Sequence, residues 1–312
     1  MQLRVLHIGN RLGHSLSDKT YVIVNPAAGR GAARARIPEF RTAFAALGVS
    51  QFQETRFAGD EERLAALAIE QGAETIVAVG GDGTYARIAG AILARDRLCR
   101  LAVVPCGTGN DFAKTLGVEK LSLDEIAGLV SSHSQMSIDV GRVDELYFLN
   151  SCGFGFDASV LESTQSVRFL KGNAVYIYSA LAQLLTYRGV SVSVGSGTGE
   201  KVLMLTVSNG RFLGGAFRIA PHASVLDGKL DVGVFGNTGV IGRVRVFAGA
   251  FRGTHLRLAS VKSERVSSIG LQFADPPLME VDGELRHARS STVTIECLPR
   301  ALSVIAAPGY PL

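Results

Sequence analysis

Several features that would narrow a protein's function are missing from this sequence. Its 312 residues contain four cysteines, with no C-x-x-C pair and no metal-ligand spacing, which argues for buried thiols in a reducing compartment and against a disulfide framework. No apolar run is long enough to span a bilayer, and the first residues lack the apolar core of a signal peptide. The net charge of +4 is too weakly basic to indicate a nucleic-acid partner, although it suits an anionic membrane surface. We therefore expect a soluble, cytoplasmic protein that contacts membranes transiently.

The clearest positive signal is a glycine-rich turn between a strand pattern and a helix pattern. The apolar residues 75–79 lead into Gly80-Gly81-Asp82-Gly83-Thr84, and apolar residues at helical spacing follow from Ile88. Glycine lets the backbone approach a ligand closely, and the new helix turns unpaired N–H groups and its positive dipole end toward an anion. Asp82 is placed to hold a metal or to accept a proton. Taken alone, the motif also fits an ordinary strand-to-helix turn.

Two further strand patterns in the first half also end in glycine-rich turns. Residues 21–24 stop at Asn25-Pro26-Ala27-Ala28-Gly29, which is not a Walker A loop because no Gly-Lys-Ser/Thr follows. Residues 101–104 run into Pro105-Cys106-Gly107-Thr108-Gly109-Asn110-Asp111-Phe112. Apolar strands that alternate with helix patterns predict a parallel sheet covered on both faces. Because ligands of such sheets bind at the carboxyl ends of the strands, we expect the three turns to line one crevice.

The patterns also predict the domain organisation. In the first half they predict a helix that begins at Pro38 and a helix capped by Asp60. Beyond about Ser137, short alternating segments predict a β-sandwich-like domain. The strands expected there are residues 190–194, 202–207, 229–235, 256–262, 269–273, 279–281 and 292–297. We divide the chain into an extension at residues 1–18, an α/β domain at 19–137 and a β-rich domain at 138–299, with a last strand at 300–312 that could return to the α/β domain.

Three features of the second half are candidate sites. Residues 175–187 form a helix pattern, which fits either a core helix or a helix at the mouth of an apolar lipid pocket. An Asp227-Gly228 turn before a strand is usually only a turn, although Asp227 and nearby carbonyls suit a hard cation. The tight turn Asp282-Gly283-Glu284 either marks a solvated loop or supplies a general base with its orienting partner.

Taken together, these motifs resemble those of the diacylglycerol kinase catalytic-domain family, which includes bacterial soluble lipid kinases and sphingosine kinases. The resemblance runs in order from about Tyr21 to the C-terminus, and it also uses Asn209-Gly210, Gly214-Gly215 and the stretch from Pro221 to Gly228. The first domain is also similar to the NAD kinases, which share the Gly-Gly-Asp-Gly turn. The resemblance implies a two-domain lipid kinase fold, with an NAD kinase-like α/β domain followed by a β-sandwich-like domain.

The resemblance further implies that ATP and Mg²⁺ bind at the glycine turns and that a lipid hydroxyl enters from the cleft between the domains. Its catalytic positions are Asp282, Glu284 and Asp82. Asp282 is the favoured base and Asp82 the magnesium contact, with the reverse assignment, or a role shared by the two, left open. The implied structural magnesium site consists of Ser224, Asp227 and Lys229, the first and last through their carbonyl groups. The implied nucleotide-binding residues are Asn25, Pro26, Ala27, Ala28, Gly29, Thr55, Gly80, Gly81, Asp82, Gly83, Thr84 and Thr108.

One stretch departs from the family pattern. After the central turn the family places an apolar residue and then Asn-Glu, whereas this chain has Tyr85-Ala86-Arg87. Arg87 either pairs with phosphate, marks an altered lipid preference or marks weak or lost activity. The predicted function is transfer of phosphate from ATP to a lipid hydroxyl, most simply diacylglycerol to phosphatidic acid. The alternatives are a sphingoid base or ceramide acceptor, a soluble substrate as in the NAD kinases, and a non-catalytic lipid or nucleotide sensor. We expect peripheral contact with a membrane that carries the lipid substrate and no nucleic-acid partner, and we leave a homodimer open.

Overall fold

The first half of the chain is built on a parallel sheet. The computed structural model describes residues 19–95, 98–132, 135–164, 173–195 and 197–310, and the predicted extension at residues 1–18 lies outside them. Four strands pair in parallel in the order β2-β1-β3-β4. These strands are β1 (Thr20–Val24), β2 (Gln51–Glu54), β3 (Thr75–Gly80) and β4 (Arg100–Pro105). The helices are α1 (Ala32–Ala45), α2 (Asp60–Glu70), α3 (Asp82–Leu93), α4 (Asp111–Thr115) and α5 (Leu123–Ser131).

The residues of these strands alternate between two hydrophobic cores, which explains their continuous apolar runs. Ile76 and Ala78 of β3 pack with α2 and α3 on one face of the sheet. Val77 and Val79 pack with α1 and α5 on the other face. Since all four side chains are buried, apolar residues are needed at every position of the strand. The prediction of a parallel sheet covered on both faces is confirmed.

Two predicted helix starts are wrong. Helix α1 begins at Ala32 and carries Pro38 in its interior, because the alanine-rich segment before the proline already favours a helix. Helix α2 is preceded by Gly59 in the left-handed conformation, and Asp60 does not cap it. The Asp60 carboxylate instead accepts the backbone N–H of Arg56 at 2.9 Å and pairs with Arg63 at 2.7 Å.

The second half consists mainly of antiparallel strands that contribute to two hydrophobic cores, and the prediction of a β-sandwich-like domain is confirmed. Its first strands are β5 (Met136–Val143), β6 (Leu146–Phe148), β7 (Ser151–Gly155), β8 (Val190–Val194), β9 (Glu200–Ser208) and β10 (Leu230–Gly236). The remaining strands are β11 (Val261–Val266), β12 (Ser268–Gln272), β13 (Leu278–Val281), β14 (Glu284–His287) and β15 (Thr292–Val304). Strand β15 pairs with β5 and β12, and its last residues, Ser303 and Val304, pair in parallel with β4, so it joins the two halves.

The helices of the second half are α6 (Phe156–Thr164), α7 (Asn173–Thr186) and α8 (Val240–Arg252). Helix α7 agrees with the helix predicted at residues 175–187, although several of its side chains lie outside the described residues. Helix α8 was not predicted, because the valines at positions 240, 244 and 246 and their alternation with arginine weaken the helical signal. The strand predicted at residues 256–262 is shifted, since His255–Arg257 forms a 3₁₀ turn and β11 starts at Val261. Among the described residues, every helix is too short or too polar to cross a membrane.

Candidate active site

The three glycine-rich turns meet at the carboxyl ends of β1, β3 and β4. A Cβ atom on Gly107 would lie 2.5 Å from Cα of Gly81, and one on Gly29 would collide with the carbonyl oxygen of Cys106. Only glycine allows backbones to approach this closely. The turns form the wall of a cleft of about 420 Å³, which confirms that they line one crevice.

Most of the predicted nucleotide-binding residues line this cleft. Those that do are Asn25, Pro26, Ala27, Ala28, Gly29, Thr55, Gly81, Asp82, Gly83 and Thr84. Gly80 lies inside β3, where its carbonyl oxygen accepts the hydroxyl of Tyr85 at 2.7 Å. Thr108 lines a second, neighbouring cavity. The geometry therefore indicates a structural role for Gly80, and it places Thr108 at the second cavity instead of the cleft. Nucleotide binding itself stays a prediction for all twelve residues.

A buried network holds the first turn in place. The Asn25 side chain accepts the backbone N–H of Ala27 at 2.9 Å and donates to Glu61 at 2.9 Å and to Thr84 at 3.1 Å. Glu61, at the start of α2, is only 4% exposed, and sequence reasoning missed it. The sequence signal that could have identified Glu61 is an acidic residue in the first turn of α2. This helix follows β2, which pairs with β1, the strand that ends in the first glycine-rich turn. Because the network joins three elements, the backbone N–H groups of the turn are positioned before any ligand arrives.

The cleft also carries positive charge. The guanidinium-bearing residues Arg34, Arg56 and Arg87 line it together with the glycine turns. Arginine forms strong, charge-assisted hydrogen bonds with phosphate oxygens. The cleft therefore suits a polyanion.

A larger and mainly apolar cavity of about 690 Å³ lies beside the cleft, between the two halves of the chain. Its apolar lining includes Phe156, Leu161, Leu184, Phe212, Leu213, Phe217, Phe247 and Phe251. The carboxyl groups on its lining belong to Asp82, Asp111, Asp157, Glu280 and Asp282. Among the described residues, Asp82 alone lines both the cleft and this cavity. A group that moves from a ligand in the cleft to one in the cavity would therefore pass Asp82.

Asp82 is the first residue of α3. One of its carboxylate oxygens accepts the backbone N–H of Phe112 at 2.9 Å, and the Asn150 amide lies 3.4 Å from the same oxygen. Burial raises the pKa of Asp82, and the charge of Asp111 raises it further. Asp111 in turn is fixed by Lys114 at 2.9 Å. Asp82 is therefore a held carboxylate whose proton affinity is increased, as a general base requires.

Asp282 reaches the same cavity from the second half of the chain, with its backbone in the left-handed region at φ 46°. Its carboxylate accepts three backbone N–H groups, from Leu149 at 2.6 Å, Asn150 at 2.8 Å and Ser151 at 3.0 Å. Burial raises the pKa of Asp282 to about 7 against the lowering effect of these bonds, and the charge of Asp82 raises it further. Both oxygens hold the turn between β6 and β7, so the carboxylate has less freedom to take a proton than its position in the sequence suggests.

Glu284 forms the bridge between the two halves. One of its oxygens accepts from the Arg87 guanidinium at 3.0 and 2.7 Å, and the other pairs with Arg286. Both Glu284 and Arg87 line the cleft. The departure from the family pattern at position 87 therefore has a partner, 197 residues further along the chain.

The predicted structural magnesium site lies in the loop before β10. The Ser224 hydroxyl accepts the N–H of Leu226, and the Asp227 carboxylate accepts the N–H of Lys229 at 3.0 Å. The other oxygen of Asp227 faces the Arg265 guanidinium at 3.7 Å. The described residues contain no group of three metal-ligating side chains. In this arrangement Arg265 supplies positive charge beside Asp227, and we derive no step through a metal at this site. The assignment of Ser224, Asp227 and Lys229 to a metal stays a prediction.

Comparison with known proteins identifies relatives of both halves. The diacylglycerol kinase catalytic domain family matches residues 19–143, and the YegS C-terminal NAD kinase beta sandwich-like domain matches residues 150–306. A probable YegS-like lipid kinase of Pseudomonas putida is 33% identical over 261 residues, covering 82% of this chain and 84% of the relative. A diacylglycerol kinase of Bacillus subtilis is 25% identical, covering 84% of this chain and 88% of the relative. The crystal structure of a diacylglycerol kinase from Bacillus anthracis shares the fold, with a TM-score of 0.69, 23% identity and coverage of 93% and 97% of the two chains.

Proposed function

The chain belongs to the diacylglycerol kinase catalytic-domain family, and we propose that it transfers the γ-phosphate of ATP to the hydroxyl of diacylglycerol, giving phosphatidic acid. The single observation that supports the transfer is the position of Asp82 on both the phosphate-binding cleft and the apolar cavity. In the proposed complex the phosphates of ATP lie against the glycine turns and the acyl chains fill the cavity. The acceptor hydroxyl then meets the γ-phosphate beside Asp82.

In this mechanism the chain supplies positioning and charge. The backbone N–H groups at the glycine turns and the start of α3 bind phosphate oxygens, which stabilises the charge that develops during transfer. Mg²⁺ bound together with ATP would neutralise part of the same charge. We assign the role of base to Asp82, which accepts the hydroxyl proton, and a positioning role to Asp282, because three backbone N–H groups already occupy its carboxylate. This reverses the order expected from the family resemblance.

The acidic residues deeper in the cavity favour an uncharged acceptor. Burial raises the pKa of Asp157 to about 7, while burial and the charge of Asp157 raise that of Glu280 well above its usual range. Asp157 Oδ2 and Glu280 Oε2 are buried and have no hydrogen-bond partner among the described residues. A protonated carboxyl group donates a hydrogen bond to an ester carbonyl, whereas a sphingoid ammonium group needs an ionised carboxylate as its partner, which the raised pKa values of Asp157 and Glu280 disfavour. The cavity chemistry therefore supports diacylglycerol over a sphingoid base, and its apolar lining argues against a soluble substrate.

The test is phosphate transfer from labelled ATP to a panel of acceptors in mixed micelles. The panel contains diacylglycerol, ceramide, sphingosine and NAD. We expect phosphatidic acid as the main product. Labelled NADP would point instead to a soluble-substrate kinase, and ATP binding without labelling of any acceptor would point to a sensor.

Substitutions of Arg87 and of Glu284 are expected to change the KM for ATP in opposite directions. We expect Arg87→Ala to raise the KM for ATP about tenfold, since a charged hydrogen-bond donor to phosphate is lost and the Glu284 charge is left in the cleft. Glu284→Ala should lower this KM, because Arg87 is released toward the phosphates. Steady-state kinetics with ATP varied at saturating diacylglycerol measures both. A kcat that falls a hundredfold in Glu284→Ala would contradict this assignment and return Glu284 to the chemistry.

A further inference from the structure

Helix α8 carries an apolar stripe on its outer side. Ile241 is 72% exposed, Val244 is 51% exposed and Phe251 is 54% exposed. Their spacing of three and seven residues places them along one side of the helix. On the other side, Val246 and Ala250 are buried against the β-rich domain. A stripe of large apolar side chains at this exposure is a mark of a contact surface.

The stripe is part of a rigid pair of helices. The buried Arg243 of α8 donates to the carbonyl oxygens of Leu184 and Tyr187, each at 2.7 Å, at the C-terminal end of α7. A guanidinium at the C-terminal end of a helix also compensates the helix dipole. Leu185, beside the clamped residue, is 68% exposed and adds apolar area to the same pair. The exposed face is thus fixed in position before it meets a partner.

Aromatic rings connect the stripe with the interior of the apolar cavity. Phe251 packs on Phe217 with ring centroids 4.3 Å apart, and Phe217 packs on Phe247 at 6.0 Å. Phe247 continues to Phe156 at 4.8 Å, next to Asp157. All four phenylalanines line the cavity. A lipid that leaves a membrane at the stripe would therefore meet an unbroken apolar path to the proposed acceptor site.

The charged residues around the stripe indicate which kind of surface the stripe binds. The sequence has no Asp or Glu between Asp231 and Glu264, whereas Arg245, Arg252 and Arg257 in this stretch are exposed. Apolar side chains flanked by arginines fit the boundary between acyl chains and anionic headgroups. A second copy of the chain would place like charges opposite each other across a two-fold interface.

We propose that the outer face of α8, with the end of α7, docks on an anionic lipid surface and inserts Ile241 and Val244 at the headgroup boundary. This orientation turns the mouth of the cavity at Phe251 toward the membrane. The inference rests on the proposed function, because a lipid substrate is the reason for the chain to bind a membrane. Docking itself requires neither ATP nor turnover. Binding and catalysis can therefore be tested separately.

The chain contains no tryptophan, so the fluorescence of a single introduced tryptophan reports on the surroundings of that position alone. We expect Ile241→Trp to shift its emission to the blue, and to be quenched by brominated acyl chains, with vesicles of equal parts phosphatidylglycerol and phosphatidylcholine. The matched control is Leu98→Trp, because Leu98 is 96% exposed and lies at the amino ends of the strands, opposite the cleft. Its emission should not change. A change of equal size in both variants would overturn the proposal.

Vesicle co-sedimentation gives the second measurement. Ile241→Glu should reduce binding at least about tenfold, while Leu98→Glu should not, because a carboxylate must leave water to enter the boundary. Ile241 does not line the cavity, so turnover of a short-chain, monomeric diacylglycerol should be unchanged. Equal binding to vesicles of pure phosphatidylcholine, or a blue shift of Ile241→Trp that depends on protein concentration without vesicles, would overturn the proposal. Binding that follows these expectations in a protein without kinase activity would retain the docking face and reject the proposed function.

Discussion

Asp82→Asn is expected to lower kcat for phosphate transfer by about 10²–10⁴, the range usual for loss of a general base. The KM for ATP should change less than threefold, since Asn fills the same volume and the glycines of the three turns are unchanged. The physical reason is that the Asp82 carboxylate is the proton acceptor held at the junction of cleft and cavity. Initial rates with labelled ATP and micellar diacylglycerol measure both constants. Asp275→Asn is the matched control, because Asp275 is exposed and lines neither the cleft nor the cavity.

The pH dependence of kcat distinguishes whether Asp82 or Asp282 is the base. A base must be ionised to act, so kcat of the unchanged protein should rise with pH and level off above the pKa of Asp82, which burial and the charge of Asp111 raise above the usual range of an aspartate. Asp82→Asn should abolish this acid limb. Asp282→Asn should keep it, because a positioning residue does not supply the titrating base. A limb that persists in Asp82→Asn and disappears in Asp282→Asn would make Asp282 the base.

The α/β half and its cleft could be predicted because each relevant signal is local. Residues 75–79 are apolar at every position and end in glycine, so strand, turn and helix start can be identified within one short segment. Parallel strands then bring their carboxyl ends to one edge of the sheet, which places the three turns together without further information. The close approach of Gly81 and Gly107 is the physical outcome of that rule.

The contacts that define the chemistry could not be predicted, because they join residues that are distant in the sequence. Asp282 meets the N–H groups of residues 149–151 only after β13 pairs with β7, and no local pattern sets that register. The same holds for Arg87 and Glu284. A carboxylate in a tight turn predicts an acidic site, whereas its partners decide whether it accepts a proton or holds a turn.

The second large effect is expected from a single methyl group in the cleft wall. Gly107→Ala should lower kcat/KM for ATP at least a hundredfold and reduce the free energy of unfolding by about 1–3 kcal/mol, the usual cost of overpacking. The new Cβ would lie 2.5 Å from Cα of Gly81 and 2.8 Å from the Asn110 side-chain oxygen. A side chain can rotate away, but the Gly81 backbone immediately precedes α3. Any retreat of Gly81 therefore moves Asp82.

Gly90→Ala is the matched control, because Gly90 lies in α3, the helix that begins at Asp82, and has open space around it. A Cβ atom at Gly90 would have no neighbour within 4 Å, and the residue lies in the interior of α3. Alanine is favoured over glycine there, so we expect a gain of about 0.5–1 kcal/mol in unfolding free energy and unchanged kinetics. Urea denaturation and steady-state rates measure both variants. If Gly107→Ala kept kcat/KM for ATP within twofold, the close contact of the two turns would have no part in binding ATP. The Gly90→Ala control isolates this contact, because it adds the same methyl group in open space.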